Sequence, residues 1–144
     1  MDRSGAQVRA VVDTNVVAYF LLGAEPFVDE VRQFWHTVRE PIAPALWEAE
    51  LANVVWMVIR GGIVRADDAP KRLDLAARLG VHSVPSRNLW HGAVARAVQS
   101  GVDVYDTLFI ELASRERLPL ATFVPKILTA FPKIARRPAA LVSK

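Results

Sequence analysis

Three carboxylates stand where burial makes a lone charge costly: Asp13 closing the run Val8 to Asp13, Glu48 in an apolar stretch, and Asp106 ahead of Phe109, Ile110 and Ala113. At an effective dielectric near 20, two like charges about 4 Å apart repel by roughly 4 kcal/mol, so such a cluster persists only with protons or a cation. Carboxylates and water form the octahedral oxygen shell that Mg²⁺ or Mn²⁺ favours. Ions of that kind lower the pKa of an attacking water and stabilise a leaving oxygen across a scissile phosphate, so the chemistry to expect is metal-dependent phosphodiester hydrolysis. The histidines, His36, His82 and His91, lack the paired spacing of a zinc motif and read as structural. With no cysteine, the chain has no disulfide framework, iron–sulfur cluster or thiol nucleophile.

These acids need elements to position them. The β-branched run Val8 to Asp13 suits a buried parallel strand, which delivers Asp13 to the carboxyl edge of a sheet, where Thr14 and Asn15 can orient it. A short helix from Thr14 to Leu22 stops at Gly23, and another runs from Pro26 to about Arg39 on a stripe of Phe27, Val31, Phe34, Trp35 and Val38. Pro41 to Pro44 reads as extended, and a long helix from Ala45 closes at Gly61-Gly62. At 100° per residue Glu48 shares a face with Leu51, Ala52, Val55 and Ile59, and Glu50 points the other way, so Glu48 is the inward acid of that helix. Further helices are expected over about Ala66 to Leu79, from an Asn88 cap to about Ser100, and over Tyr105 to Leu118, with strands at Val81 to Val84 and Leu118 to Phe123. Asp106 falls on the first turn of its helix, where the dipole favours an anion, and Asp103 has the spacing of that helix's N-cap, with a secondary metal role open to it. Alternating strands and helices imply an α/β fold: a parallel sheet with helices on both faces and a ligand site at the strands' carboxyl ends.

With 144 residues, 52% of them hydrophobic, the chain is read as one domain with a sizeable core. Its formal charge is +3, which permits a polyanionic partner without demanding one. From 125 to 144 there is no acid, and Lys126, Lys133, Arg136, Arg137 and Lys144 form a basic C-terminal tail that either meets phosphates or is simply solvated. The apolar run Val16 to Leu22 is too short to span a bilayer, and Met1 to Ala10 is not arranged as a signal peptide, so a cytoplasmic protein without a membrane partner is expected. Trp35, Trp47, Trp56 and Trp90 sit at helical spacing and are read as core ahead of base-stacking.

Taken together, Val11-Val12-Asp13-Thr14-Asn15-Val16, the stretch Pro44 to Trp56, Val104-Tyr105-Asp106-Thr107 running on to Ala113, and Leu118-Pro119-Leu120-Ala121-Thr122-Phe123 resemble a PIN domain of the VapC toxin type over nearly the whole chain. The resemblance implies a three-layer α/β/α fold with a central parallel sheet, and a Mg²⁺ or Mn²⁺ site built from Asp13, Glu48 and Asp106. It also implies an endoribonuclease paired with a cognate antitoxin, and a homodimer. Asp103, Thr122 and Asn15 would support the acids, the last two by positioning water or orienting ligands unless they serve only as turn and strand-end residues. One position departs from the pattern. The family usually places a fourth Asp after the Thr-x of the last strand motif, and Val124 stands there. A PIN-fold module that binds RNA or antitoxin but cleaves weakly is therefore the alternative. An aspartate-nucleophile phosphatase is disfavoured because Asn15 stands where its second Asp would be.

Overall fold

A computed structural model of the chain describes residues 8–142. Five short parallel strands form its centre: β1 (Val11–Val12), β2 (Ile42–Pro44), β3 (His82–Val84), β4 (Leu120–Ala121) and β5 (Ala135–Arg136), in the order β3-β2-β1-β4-β5. The helices between them are α1 (Thr14–Leu22), α2 (Val28–Thr37), α3 (Leu46–Arg60), α4 (Ala69–Arg78), α5 (Trp90–Ser100), α6 (Val104–Glu116), α7 (Pro125–Ala130) and α8 (Pro138–Val142). Helix α6 lies across β1, β2 and β4 with α5 packed against it, while α1 packs on α2, α3 and α4, giving three α/β/α layers.

Burial explains the central strands. Val11, Val12, Leu120 and Ala121 are enclosed, as a strand covered on both faces requires. The parallel register pairs Val11 with Leu120 and Val12 with Ala121. The next residue on each strand is therefore a neighbour of the other, which sets Asp13 beside Thr122 at the carboxyl edge, and the Asp13 amide donates to the Ala121 carbonyl at 3.0 Å. Helix α1 then starts at once and stops where Gly23 takes a left-handed conformation (φ 61°), a position at which a Cβ would add strain.

The helix expected from Thr14 to Leu22 has those bounds in the structure, and the long helix ahead of Gly61 is α3. Two expectations shift. Asn88 lies in a 3₁₀ turn, Ser86–Asn88, and α5 begins at Trp90 with no side-chain cap. The basic segment from 125 on is folded as far as it is described. It forms α7, the edge strand β5, and α8, which packs on α2. Arg137 there stacks over the rings of Phe123 and Phe27 and is clasped by Glu30, with its Nη2 2.6 Å from Oε1. The tryptophans divide. Trp47 is buried and Trp35 donates its indole N–H to the Val16 carbonyl, whereas Trp56 and Trp90 are half exposed. No helix among the described residues is long and apolar enough to cross a membrane.

Candidate functional site

Asp13 is the centre of the site because the strand carries it inward and then ends. Its residue is 5% exposed, and both carboxylate oxygens are engaged: Oδ1 accepts from the Thr14 amide at 2.8 Å and Oδ2 from the Thr122 hydroxyl at 2.7 Å. The Thr122 hydroxyl in turn accepts from the Val124 amide at 3.1 Å, which fixes the direction in which it donates. Each carboxylate oxygen keeps a further lone pair for a cation or a proton. Burial pushes the Asp13 carboxyl up from its ordinary 3.8 to about 7, against the hydrogen bonds from Thr122 and Thr14 and with the help of the charges on Asp106 and Glu50.

The second acid is Glu50. Its Oε1 accepts from the Thr14 hydroxyl at 2.6 Å, so one threonine grips both Asp13, through its amide, and Glu50, through its side chain. Desolvation raises the Glu50 carboxyl above its ordinary value, the Thr14 bond opposes that rise, and the charges of Asp106 and Asp103 add to it. Asp106 is half-buried on the first turn of α6. Burial and then Asp103 push its carboxyl up, while Lys126, on the first turn of α7, pulls it down. Asp103 is an N-cap as its spacing suggests, its Oδ1 accepting from the Asp106 amide at 3.0 Å, and it remains exposed.

Glu48 is placed elsewhere. Its side chain is exposed, accepts from the Ser83 hydroxyl at 2.8 Å and lines a separate cavity with Trp47, Leu73 and Val81. The helical projection that favoured it is sound as a projection, because both glutamates flank the buried stripe Trp47, Leu51 and Val55. What decides between them is the neighbour on each flank. Helix α1 and the end of β1 stand against the Glu50 flank; β3 and α4 stand against the Glu48 flank. A sequence signal for Glu50 exists: Glu50, Val54 and Val58 recur at i, i+4 and i+8 and line the same cavity as Asp13.

That cavity, of about 660 Å³, runs from Asp13 and Glu50 along Ala18, Leu22 and Val54 between α1 and α3. Asn15 lines it as well, and its Oδ1 is buried without any hydrogen-bond partner. An orphaned amide oxygen beside unneutralised carboxylates is a donor set suited to a hard cation, with no soft ligand in it. Among the described residues no three Asp, Glu or His side chains are close enough together to enclose a metal ion, so the donors share a rim without closing on a common point. The three histidines are exposed. Val124 is half-buried and serves as the N-cap of α7 without a side-chain bond.

No curated protein matches the chain. The family model described as PIN domain matches residues 10–124, from the residue before β1 to the N-cap of α7, and so spans Asp13, Glu50, Asp103, Asp106 and Thr122.

Proposed function

The chain belongs to the PIN-domain family, whose members are generally nucleases, and from that premise we propose that it is a Mg²⁺- or Mn²⁺-dependent endoribonuclease of the toxin type, hydrolysing RNA phosphodiester bonds under the control of a cognate antitoxin. The observation that carries the reading is a buried Asp13 that shares Thr14 with Glu50 and has Asp106 as a further acidic neighbour, with no arginine or lysine in hydrogen-bond contact with any of the three among the described residues. Asp13, Glu50 and Asp106 would hold the ion and the Asn15 amide oxygen would support it. A bound divalent ion supplies a more acidic water and charge for the leaving oxygen.

The protein's own groups supply the rest. Thr122 and Thr14 hold Asp13 in one orientation and keep it ionisable, the Thr14 hydroxyl couples Glu50 to it, and Asp103 caps the helix that presents Asp106. The apolar cavity that ends in these acids suits an antitoxin segment with apolar side chains and a basic tip. Trp90, Val94 and Val98, exposed at i, i+4 and i+8 on α5, offer an apolar stripe for homodimerisation.

The dispersed arrangement of the acids favours a second reading, a catalytically weakened RNA- or antitoxin-binding module. Cleavage of a labelled RNA by purified protein, with Mn²⁺, Mg²⁺ or EDTA, separates the two. The nuclease reading expects metal-dependent cleavage that Asp13→Asn lowers by about 10²-fold or more. Cleavage that persists in EDTA or in Asp13→Asn rejects this site; binding without any cleavage favours the module.

A further inference from the structure

The basic residues near the C-terminus do not act as one group. Lys126 acts on Asp106, Arg137 is held by Glu30 and two aromatic rings, and Lys133 and Arg136 turn to a place of their own. There they meet Arg117, which follows α6, around a cavity of about 380 Å³ whose wall also includes Ser114. Arg117 precedes β4 and Lys133 precedes β5, and Arg136, the last residue of β5, turns its side chain back to the Pro132 carbonyl, so this cavity lies toward the amino ends of these two strands. All three cations are exposed, and among the described residues none forms an ion pair with a carboxylate. Glu116, next to Arg117 in the chain, lines a different cavity.

A second observation is independent of the charge. Arg117 has φ 57° and ψ 43°, the left-handed conformation in which a helix C-cap ordinarily uses glycine. Four other turns of the described chain meet that need with glycine, at Gly23, Gly62, Gly80 and Gly101, and Glu40 is the one other non-glycine residue at positive φ among the described residues. An arginine at such a site costs stability, and strain of this kind collects where a side chain has a task. Arg136 is pre-set for one: its Nη1 donates to the Pro132 carbonyl at 2.5 Å, which holds the guanidinium in place before any ligand arrives.

We propose that Arg117, Lys133 and Arg136 form an exosite for the sugar-phosphate backbone of single-stranded RNA, gripping the strand away from the bond cut at the acids. The inference rests on the ribonuclease reading for its substrate. Exposed guanidinium and ammonium groups around an open cavity bind phosphate oxygens without reading bases, so the site adds affinity and register but no sequence preference. The three cations also add long-range attraction for a polyanionic strand beyond whatever the acid site itself supplies.

The test uses the full chain carrying Asp13→Asn, so that the RNA stays intact, and a fluorescent single-stranded RNA oligonucleotide read by anisotropy over a salt series. Adding Arg117→Ala, Lys133→Ala and Arg136→Ala should weaken binding about tenfold at low salt for any base sequence and lower the slope of log K against log salt by about 2. In the otherwise native protein the same three changes should slow cleavage of a long RNA and leave cleavage of a dinucleotide unchanged. Arg117→Gly alone guards against a folding artefact: it should raise or preserve the melting temperature while it weakens RNA binding. Equal affinity and equal slope with and without the three arginine and lysine changes would overturn the exosite, as would an Arg117→Gly variant that binds RNA like its parent. Absence of metal-dependent cleavage rejects the nuclease reading instead, and the binding series still decides the exosite.

Discussion

Asp13 and Glu111 are both buried carboxylates, and the protein treats them in opposite ways. Glu111, on α6, is clasped by Arg96 from α5 at 2.8 Å and by Arg115 one turn along its own helix at 2.7 Å. Desolvation pushes its carboxyl up, but the two arginine hydrogen bonds and charges win, and it ends below its ordinary value. Gly92 lets it sit there, since a Cβ at that position would overlap the Glu111 carboxylate. Asp13 receives a hydroxyl and an amide where Glu111 receives two cations, and it has acids for neighbours. Arg115 also donates to the Asn88 carbonyl, so the compensated site ties α5, α6 and the 3₁₀ turn together. One arrangement holds helices; the other leaves a buried carboxylate with hydrogen bonds but no arginine or lysine in hydrogen-bond contact among the described residues.

The sharpest way to break this contrast is to neutralise each carboxylate in metal-free protein. The unfolded Asp13 releases its proton near 3.8 while the native one keeps it to about 7, so the native state binds more protons in that window and stability falls as pH rises. At 1.36 kcal/mol per pH unit the loss reaches up to about 4 kcal/mol. Asparagine removes it, and its amide can still accept from the Thr14 N–H and donate to the Thr122 oxygen. Asp13→Asn should therefore be more stable than the native chain in urea at pH 7 with EDTA, and lose that advantage near pH 4. Glu111→Gln should behave in the reverse sense, costing about 3 kcal/mol at pH 7, the low end for breaking a buried pair because Arg115 is half exposed. The Glu111 contribution is present above its ordinary value and is lost as pH falls through its lowered one. Two variants that shift stability in the same direction at pH 7 would end the comparison.

A smaller effect tests whether Gly92 exists for Glu111. Gly92→Ala should cost about 2 kcal/mol through overpacking, because the carboxylate it meets is pinned by two arginines and cannot step aside. In a Glu111→Ala background the obstacle is gone, and the same change should become neutral or gain up to about 1 kcal/mol from helix propensity. Urea unfolding of all four proteins completes the cycle, and additive costs would show that the glycine serves some other contact.

The contrast also marks how far the sequence could be read. The run ending at Asp13, the Gly23 stop and the cap at Asp103 are local signals, fixed by residues within a turn of one another, and α1 and α6 follow from them. That Thr122 faces Asp13 across 109 residues depends on the strand register; the sequence singles Thr122 out as a supporting residue but does not show which acid it holds. The tail from 125 looked like a run of cations because its apolar members, Ile127, Ile134, Ala135 and Leu141, are interleaved with them; their burial makes it α7, β5 and α8. The basic exosite was not legible, since its members lie in two segments that only the β4 and β5 pairing brings together.

The choice between Glu48 and Glu50 is where projection alone fails, and it yields the prediction with the smallest expected change. Both acids flank one apolar stripe on α3, so hydrophobic periodicity cannot rank them; α1 on one side and β3 on the other can. Glu48→Gln keeps an oxygen for the Ser83 hydroxyl at an exposed position, and its effect should stay within about 0.5 kcal/mol of stability, with the rise in melting temperature on adding Mn²⁺ unchanged. Glu50→Gln also keeps an acceptor for Thr14 but removes a charge beside Asp13, so it should lower Mn²⁺ affinity at least tenfold and shrink that rise, because a ligand stabilises the native state only as far as it binds it. Thermal melts of the two variants over a Mn²⁺ titration make the comparison directly. A shift lost in Glu48→Gln and kept in Glu50→Gln would return the metal to the acid that the projection favours, and would mean that α3 turns its other flank to the end of β1 when the ion is bound.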